Sequence, residues 1–65
     1  MIKLAQIRQF VTLAEEGSFH RAASALNMAQ PPLSVGIRKL EEDLGAQLFV
    51  RAPRGVRLTS AGEVA

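Results

Sequence analysis

Few side chains in this 65-residue sequence have the type and spacing for covalent chemistry. His20 is the only histidine and there is no cysteine, so a tetrahedral metal site cannot be assembled from the chain alone. His20 itself reads as a structural or solvent-facing residue at a helix start, with a phosphate contact as the alternative. Ser18, Ser24, Ser34 and Ser60 have no positioned base, and Glu41, Glu42 and Asp43 form a continuous surface run instead of a facing pair in a pocket. No glycine loop of the Walker or dinucleotide kind is present. The sequence is not read as an enzyme, and nothing in it asks for a cofactor. What remains is chemistry of recognition: a hydroxyl, an amide, a small apolar group and a guanidinium spaced along one stretch (Gln30, Pro31, Ser34, Val35, Arg38), and three arginines, Arg51, Arg54 and Arg57, crowded further on. Hydroxyls, amides, guanidiniums and small apolar groups are the side chains that read base edges in the DNA major groove, and arginines grip sugar-phosphate.

The elements that must position these groups are legible around Phe19–Gly45. Ser18 is placed to cap a helix whose apolar positions Phe19, Ala22, Ala23 and Leu26 follow the i, i+3, i+4, i+7 pattern of one face. Asn27, Met28 and Ala29 leave little room for a loop. Pro31 and Pro32 fit the first turn of the next helix, where the missing N–H is not needed and φ is already set. Leu33, Ile37, Leu40 and Leu44 repeat at helical spacing and are expected to pack inward. At about 100° per residue this turns Pro31, Ser34, Val35, Arg38 and Glu42 outward, with Gln30 and Pro31 leading. Such a pair is a helix–turn–helix, which inserts the N-terminal part of its second helix into the major groove. Glu41, Glu42 and Asp43 at the far end would repel phosphate and stay out. Gly36, inside the helix, is explained by close approach of a neighbouring helix, or alternatively by a closer fit to DNA.

An opening helix is expected over residues 3–16, with Leu4, Ile7, Phe10, Val11 and Ala14 on its apolar face and Gly17 as its stop. Leu13 falls off that face and reads as partly exposed, with a contact to a second subunit or a missing part of the protein as the alternative. After Gly45 the period changes. Gln47 to Val50, the turn-rich Ala52-Pro53-Arg54-Gly55 and the alternating Val56-Arg57-Leu58 read as a β-hairpin with Arg51, Arg54 and Arg57 on or near its tip. Beside a helix–turn–helix such a basic hairpin is a wing, suited to the backbone or the minor groove. Ser60-Ala61-Gly62-Glu63 matches a capping box, with Thr59 as the other possible cap, so a further helix is expected to begin there and to be cut short.

The fold class expected is therefore mainly α: a winged helix–turn–helix of three helices, a two-stranded wing over 49–58 and the start of a fourth helix. Residues 1–65 form one small domain, too short to bury more than roughly 60% of the surface its unfolded chain exposes. Without cysteine there is no disulfide to compensate, which fits a reducing cytoplasm. No apolar run approaches the roughly 20 residues needed to span a bilayer, and no signal-peptide layout opens the chain. A net charge of +2 is a weak sign of a polyanion partner. Its distribution is stronger, since Arg51, Arg54 and Arg57 are three of eight basic residues and Glu41, Glu42 and Asp43 are three of six acidic ones. A winged-helix module that binds a partner protein without DNA is the reading from another class, favoured by the modest net charge and the outward Val35.

Five motifs in order carry a family resemblance: Gly17-Ser18-Phe19 through Ala22-Ala23; Ala29-Gln30-Pro31-Pro32-Leu33-Ser34; Ile37 to Gly45; Leu48-Phe49-Val50-Arg51; and Leu58-Thr59-Ser60-Ala61-Gly62. Together they resemble the N-terminal domain of LysR-type bacterial transcriptional regulators, over essentially the whole chain. The resemblance implies a winged helix–turn–helix that binds double-stranded promoter DNA as part of a homodimer or tetramer. It also implies a linker helix beginning near residue 60 and, beyond it, a domain that takes a small-molecule effector. By position it places Gln30, Pro31, Ser34 and Val35 toward the major groove, Arg51 with Arg54 in the wing, and Ser18 and Arg21 on phosphates. The residues' own placement adds Pro32 to the leading end of the recognition helix, and Arg38 and Arg57 as phosphate or minor-groove contacts. Two departures stand out. Ala29 replaces a serine common in the family, which gives Gln30 a larger share. Val35 and Gly36 replace an arginine and a long polar residue, which points to an apolar contact such as a thymine methyl at residue 35.

Overall fold

In a computed structural model describing residues 2–64, the element order is α1 (Leu4–Glu16), α2 (Phe19–Ala25), α3 (Gln30–Leu44), β1 (Phe49–Ala52), β2 (Gly55–Leu58) and α4 (Ser60–Val64). The three long-expected helices, the antiparallel hairpin and a fourth helix are thus all present. Gly17, at φ 71°, closes α1, and its N–H donates to the Leu13 carbonyl. Ser18 Oγ accepts the Arg21 N–H at 3.3 Å and caps α2. Both prolines lie in the first turn of α3, as their fixed φ and missing N–H require.

The three helices close around Leu13, Ala22, Ala23, Leu33, Ile37 and Leu40, with Leu48 and Phe49 sealing the core from the wing side. Phe10 on α1 meets Phe49 with ring centroids 5.5 Å apart and planes tilted by 55°, within the range for favourable aromatic pairs.

The rotation of α1 differs from expectation. Leu13 is fully buried, whereas Leu4, Ile7 and Val11 are exposed. The inward line is Gln6, Phe10 and Leu13 at i, i+4 and i+7, where Gln6 is buried and its Oε1 accepts the Lys3 N–H at 2.7 Å. Apolar residues occupy more than half the circumference of α1, so spacing alone left its rotation about one residue ambiguous. Packing against α2 and α3 chose the line on which Leu13 lies. Leu44 also departs from the expected stripe. It is 45% exposed and borders an open apolar groove of about 340 Å³ with Ile7, Val11 and Leu40.

The hairpin is tighter and later than expected. Ala52 pairs with Gly55, leaving only Pro53 and Arg54 in the turn, and Arg51 lies in the strand opposite Val56. The wing is tied down at both ends, near its turn through Gly55 and Val56 and at its base through Thr59. Val56 N–H donates to the Gly17 carbonyl at 2.9 Å, and Thr59 N–H donates to the Leu48 carbonyl at 2.9 Å. Gly55 has φ +143°, and a Cβ there would run into the Gly17 carbonyl. Only glycine fits both that conformation and that approach. Thr59, not Ser60, is the cap of α4: its Oγ1 accepts the Gly62 N–H at 3.0 Å and donates to the Gln47 carbonyl at 2.6 Å.

Candidate nucleic-acid interface

The outward side of α3 is built on its inward side. Leu33 and Ile37 are almost wholly buried, so the residues between and beside them are held at fixed angles about the helix axis. Gln30, Pro31, Pro32, Val35 and Arg38 are exposed, and Ser34 is half-buried. Val35 stands 64% exposed, at the rim of a hollow that it shares with Ala5 and Gln9 of α1. Next to it, on the side facing α1, Gly36 makes the close approach expected of it, since a Cβ there would strike the Gln9 side chain.

Between α3 and the wing runs an open groove of about 290 Å³. Phe19, Ile37 and Phe49 form its floor, Ser34 and Arg38 line the helix side, and Val50 and Arg51 line the wing side. A hydroxyl and two guanidiniums therefore border one concave surface. That arrangement suits a phosphate backbone passing between helix and wing, since guanidiniums bind phosphate oxygens in charge-assisted pairs.

The three wing arginines do not share one face of the hairpin. Strand pairing sets Arg51 on the hairpin face of Phe49, Val56 and Leu58, and Arg57 on the other face, opposite Val50. Arg54 occupies the turn and, with Arg57, borders a separate hollow at the tip. The three lie in or near the turn, as expected, but side chains alternate across a strand, so residues 51 and 57 fall on different faces once the turn is fixed at Pro53-Arg54.

Ser18 spends an oxygen lone pair on the cap of α2, leaving its hydroxyl proton for another partner, and the Arg21 side chain is exposed one turn later. His20 is exposed as well. Among the described residues no cluster of three His, Asp or Glu side chains is placed to hold a metal ion.

Two features of the interface were not evident from sequence. Gln47 borders the groove and its Nε2 donates to the Phe49 carbonyl at 2.9 Å; the only signal was its place just before the strand. Glu41 is no free acid at the end of a run. Its Oε2 accepts the N–H groups of Leu48 at 2.8 Å and Phe49 at 3.2 Å, whereas Glu42 and Asp43 are exposed.

Comparison with known proteins agrees with this geometry. Residues 4–63 match the sequence model of the family described as bacterial regulatory helix-turn-helix protein, lysR family. The chain is 55% identical over 58 residues to the HTH-type transcriptional regulator XapR of Escherichia coli K12, covering 89% of this chain and 20% of that protein. It is 53% identical over 62 residues to the HTH-type transcriptional regulator BudR of Klebsiella aerogenes, covering 95% and 43%. It therefore spans less than half the length of either regulator. Among solved structures, the CbnR DNA-binding domain in complex with DNA superposes with a TM-score of 0.91 at 39% identity, over 95% of this chain and 71% of that one. The BenM DNA-binding domain on benA site 1 DNA gives 0.89 at 48% identity, over 95% and 70%.

Proposed function

Since the chain belongs to the LysR family of bacterial regulatory helix–turn–helix proteins, we propose that it is the sequence-specific DNA-binding domain of a transcriptional regulator. The N-terminal half of α3 enters the major groove and the wing lies on the backbone or in the minor groove. The observation that carries this reading is the groove shared by Ser34, Arg38 and Arg51, on a fold whose solved relatives include complexes with DNA.

In this reading Gln30, Ser34 and Val35 face base edges. Gln30 offers an amide suited to adenine and Ser34 a hydroxyl, while the exposed Val35 suits a thymine methyl. Pro31 and Pro32 set the leading end of α3 close to the groove. Arg38 and Arg51 neutralise phosphates on the two sides of one strand's backbone, and Arg54 and Arg57 meet the duplex from the tip and outer face of the wing. Ser18 and Arg21, at the start of α2, contact a neighbouring phosphate. The domain is residues 1–65, with a linker helix starting near residue 60. The whole regulator works in the cytoplasm as a homodimer or tetramer on promoter DNA, and its response to a small-molecule effector resides outside this domain.

Fluorescence anisotropy of a labelled duplex at several salt concentrations tests the proposal. Log affinity is expected to fall with log salt at a slope of about −0.9 per phosphate neutralised. Ser34→Ala is expected to alter preference among duplexes, with little effect on the average affinity. No binding at low salt, even with a dimerising helix fused after Ala65, would favour the protein-interaction reading instead.

A further inference from the structure

Ser34, Arg38 and Glu41 follow one another at i, i+4 and i+7 on α3, and all three border the groove that faces the wing. The first two present a hydroxyl and a guanidinium to whatever enters that groove. The third is a carboxylate, which in a surface meeting DNA would repel phosphate if it were free. It is not free. One oxygen, Oε2, accepts from both Leu48 N–H and Phe49 N–H, the two residues through which the chain enters β1. Both are buried, so an N–H left there without an acceptor would be costly. Among the described residues no other hydrogen bond joins α3 to the first wing strand. The remaining ties of the wing run from Val56 to Gly17 and from Thr59 to Leu48 and Gln47, so Glu41 is its direct hydrogen-bonded link to α3, beside the apolar seating of Leu48 and Phe49 in the core.

We infer that Glu41 is a positioning residue for DNA binding: by accepting the Leu48 and Phe49 N–H groups it sets the origin and angle of the wing against α3. Arg51 is thereby held at the spacing from Ser34 and Arg38 that one duplex requires. The inference rests on the DNA-binding reading above. It also explains why an acidic residue is tolerated on the DNA-facing stripe of α3, since its charge is turned to the backbone donors of the wing.

Three substitutions separate positioning from simple charge. E41Q keeps an oxygen able to accept both bonds and removes the charge. E41D keeps the charge on a side chain one methylene shorter, which cannot reach. E41A removes both. Positioning predicts that E41A and E41D weaken duplex binding by roughly tenfold, the scale of one lost polar contact, while E41Q stays close to wild type. It further predicts that the Leu48 and Phe49 amides exchange faster with solvent in E41A and E41D and at near wild-type rates in E41Q. The factor lost on R51A should shrink when R51A is placed in the E41D background, because a wing already misplaced gains less from its arginine; a purely structural defect would leave that factor unchanged.

Tighter binding by E41A and E41Q alike, with E41D unchanged, would overturn the inference in favour of phosphate repulsion. So would unchanged exchange at Leu48 and Phe49 in E41D, or an unchanged R51A factor. If E41A does not fold, the E41D and E41Q pair decides the matter on its own. Failure of the wild type to bind any duplex, with the exchange differences intact, would sink the DNA reading and the role assigned here while leaving the hydrogen-bonded tie between α3 and β1 standing.

Discussion

Ser34 and Arg38 on α3 sit beside Leu33 and Ile37, which are buried directly beneath them, whereas Arg51 and Arg57 ride on a two-stranded hairpin held by groups far away in sequence. The helix presents its side chains through its own periodicity, and the core needs only to fix one rotation about the axis. A lone hairpin has no such platform and is marginally stable by itself. Here the wing borrows its position from the Gly17 carbonyl, the Glu41 carboxylate and Thr59. The lesson is that two surfaces with similar side chains can differ in what perturbs them: α3 through its core, the wing through a few long-range hydrogen bonds.

The largest expected effect breaks the helix side of this comparison. Leu33→Ala removes a fully buried side chain and is expected to cost about 2–5 kcal/mol of stability, the range for large-to-small core changes. Denaturant unfolding would show it, together with loss of the whole domain's cooperativity reserve. A cost below about 1 kcal/mol would mean that α3 is not held by the core as described.

Next in size is a break on the wing side. Gly55→Ala forces a side chain into φ +143° and against the Gly17 carbonyl, at an expected cost of about 1–3 kcal/mol. The wing should loosen before the helices do, read as faster amide exchange at Val56 with α2 and α3 amides unchanged. Equal loosening everywhere would show that wing and helices form one unit.

The smallest effect sharpens the comparison within the wing itself. Arg51→Ala should reduce the steepness of the salt dependence by about 0.9, the value of one phosphate contact, and weaken binding to all duplexes alike. Arg57→Ala, on the opposite face of the hairpin, should do less. If Arg57→Ala proved the more damaging, the DNA path would follow the outer face of the wing and not the groove shared with Ser34 and Arg38.

How far these surfaces could be read in advance follows from the same division. The caps and breakers were local and plain: Ser18 bonding to its own third residue, Pro31 and Pro32 in a first turn, Gly17 as a helix stop. The outward set on α3 followed from Leu33, Ile37 and Leu40. On α1 the same reasoning failed, because apolar residues on several sides left Leu13 and Val11 as rival candidates for the core, and only α2 and α3 could select between them. Leu44 failed for a related reason, since periodicity says which way a residue points but not whether anything covers it.

By itself, then, the sequence determined the element order, the helix–turn–helix, the presence of a basic hairpin and the outward face of α3, because caps, prolines and helical spacing act over a few residues. The tertiary structure alone decided the rotation of α1, the division of Arg51 from Arg57 across the wing, and the conversion of Glu41 from a surface acid into the tie between α3 and β1. Each of those depends on a partner many residues away: a helix packed alongside, a strand in register, or a buried N–H in need of an acceptor. Such partners leave no mark in local spacing.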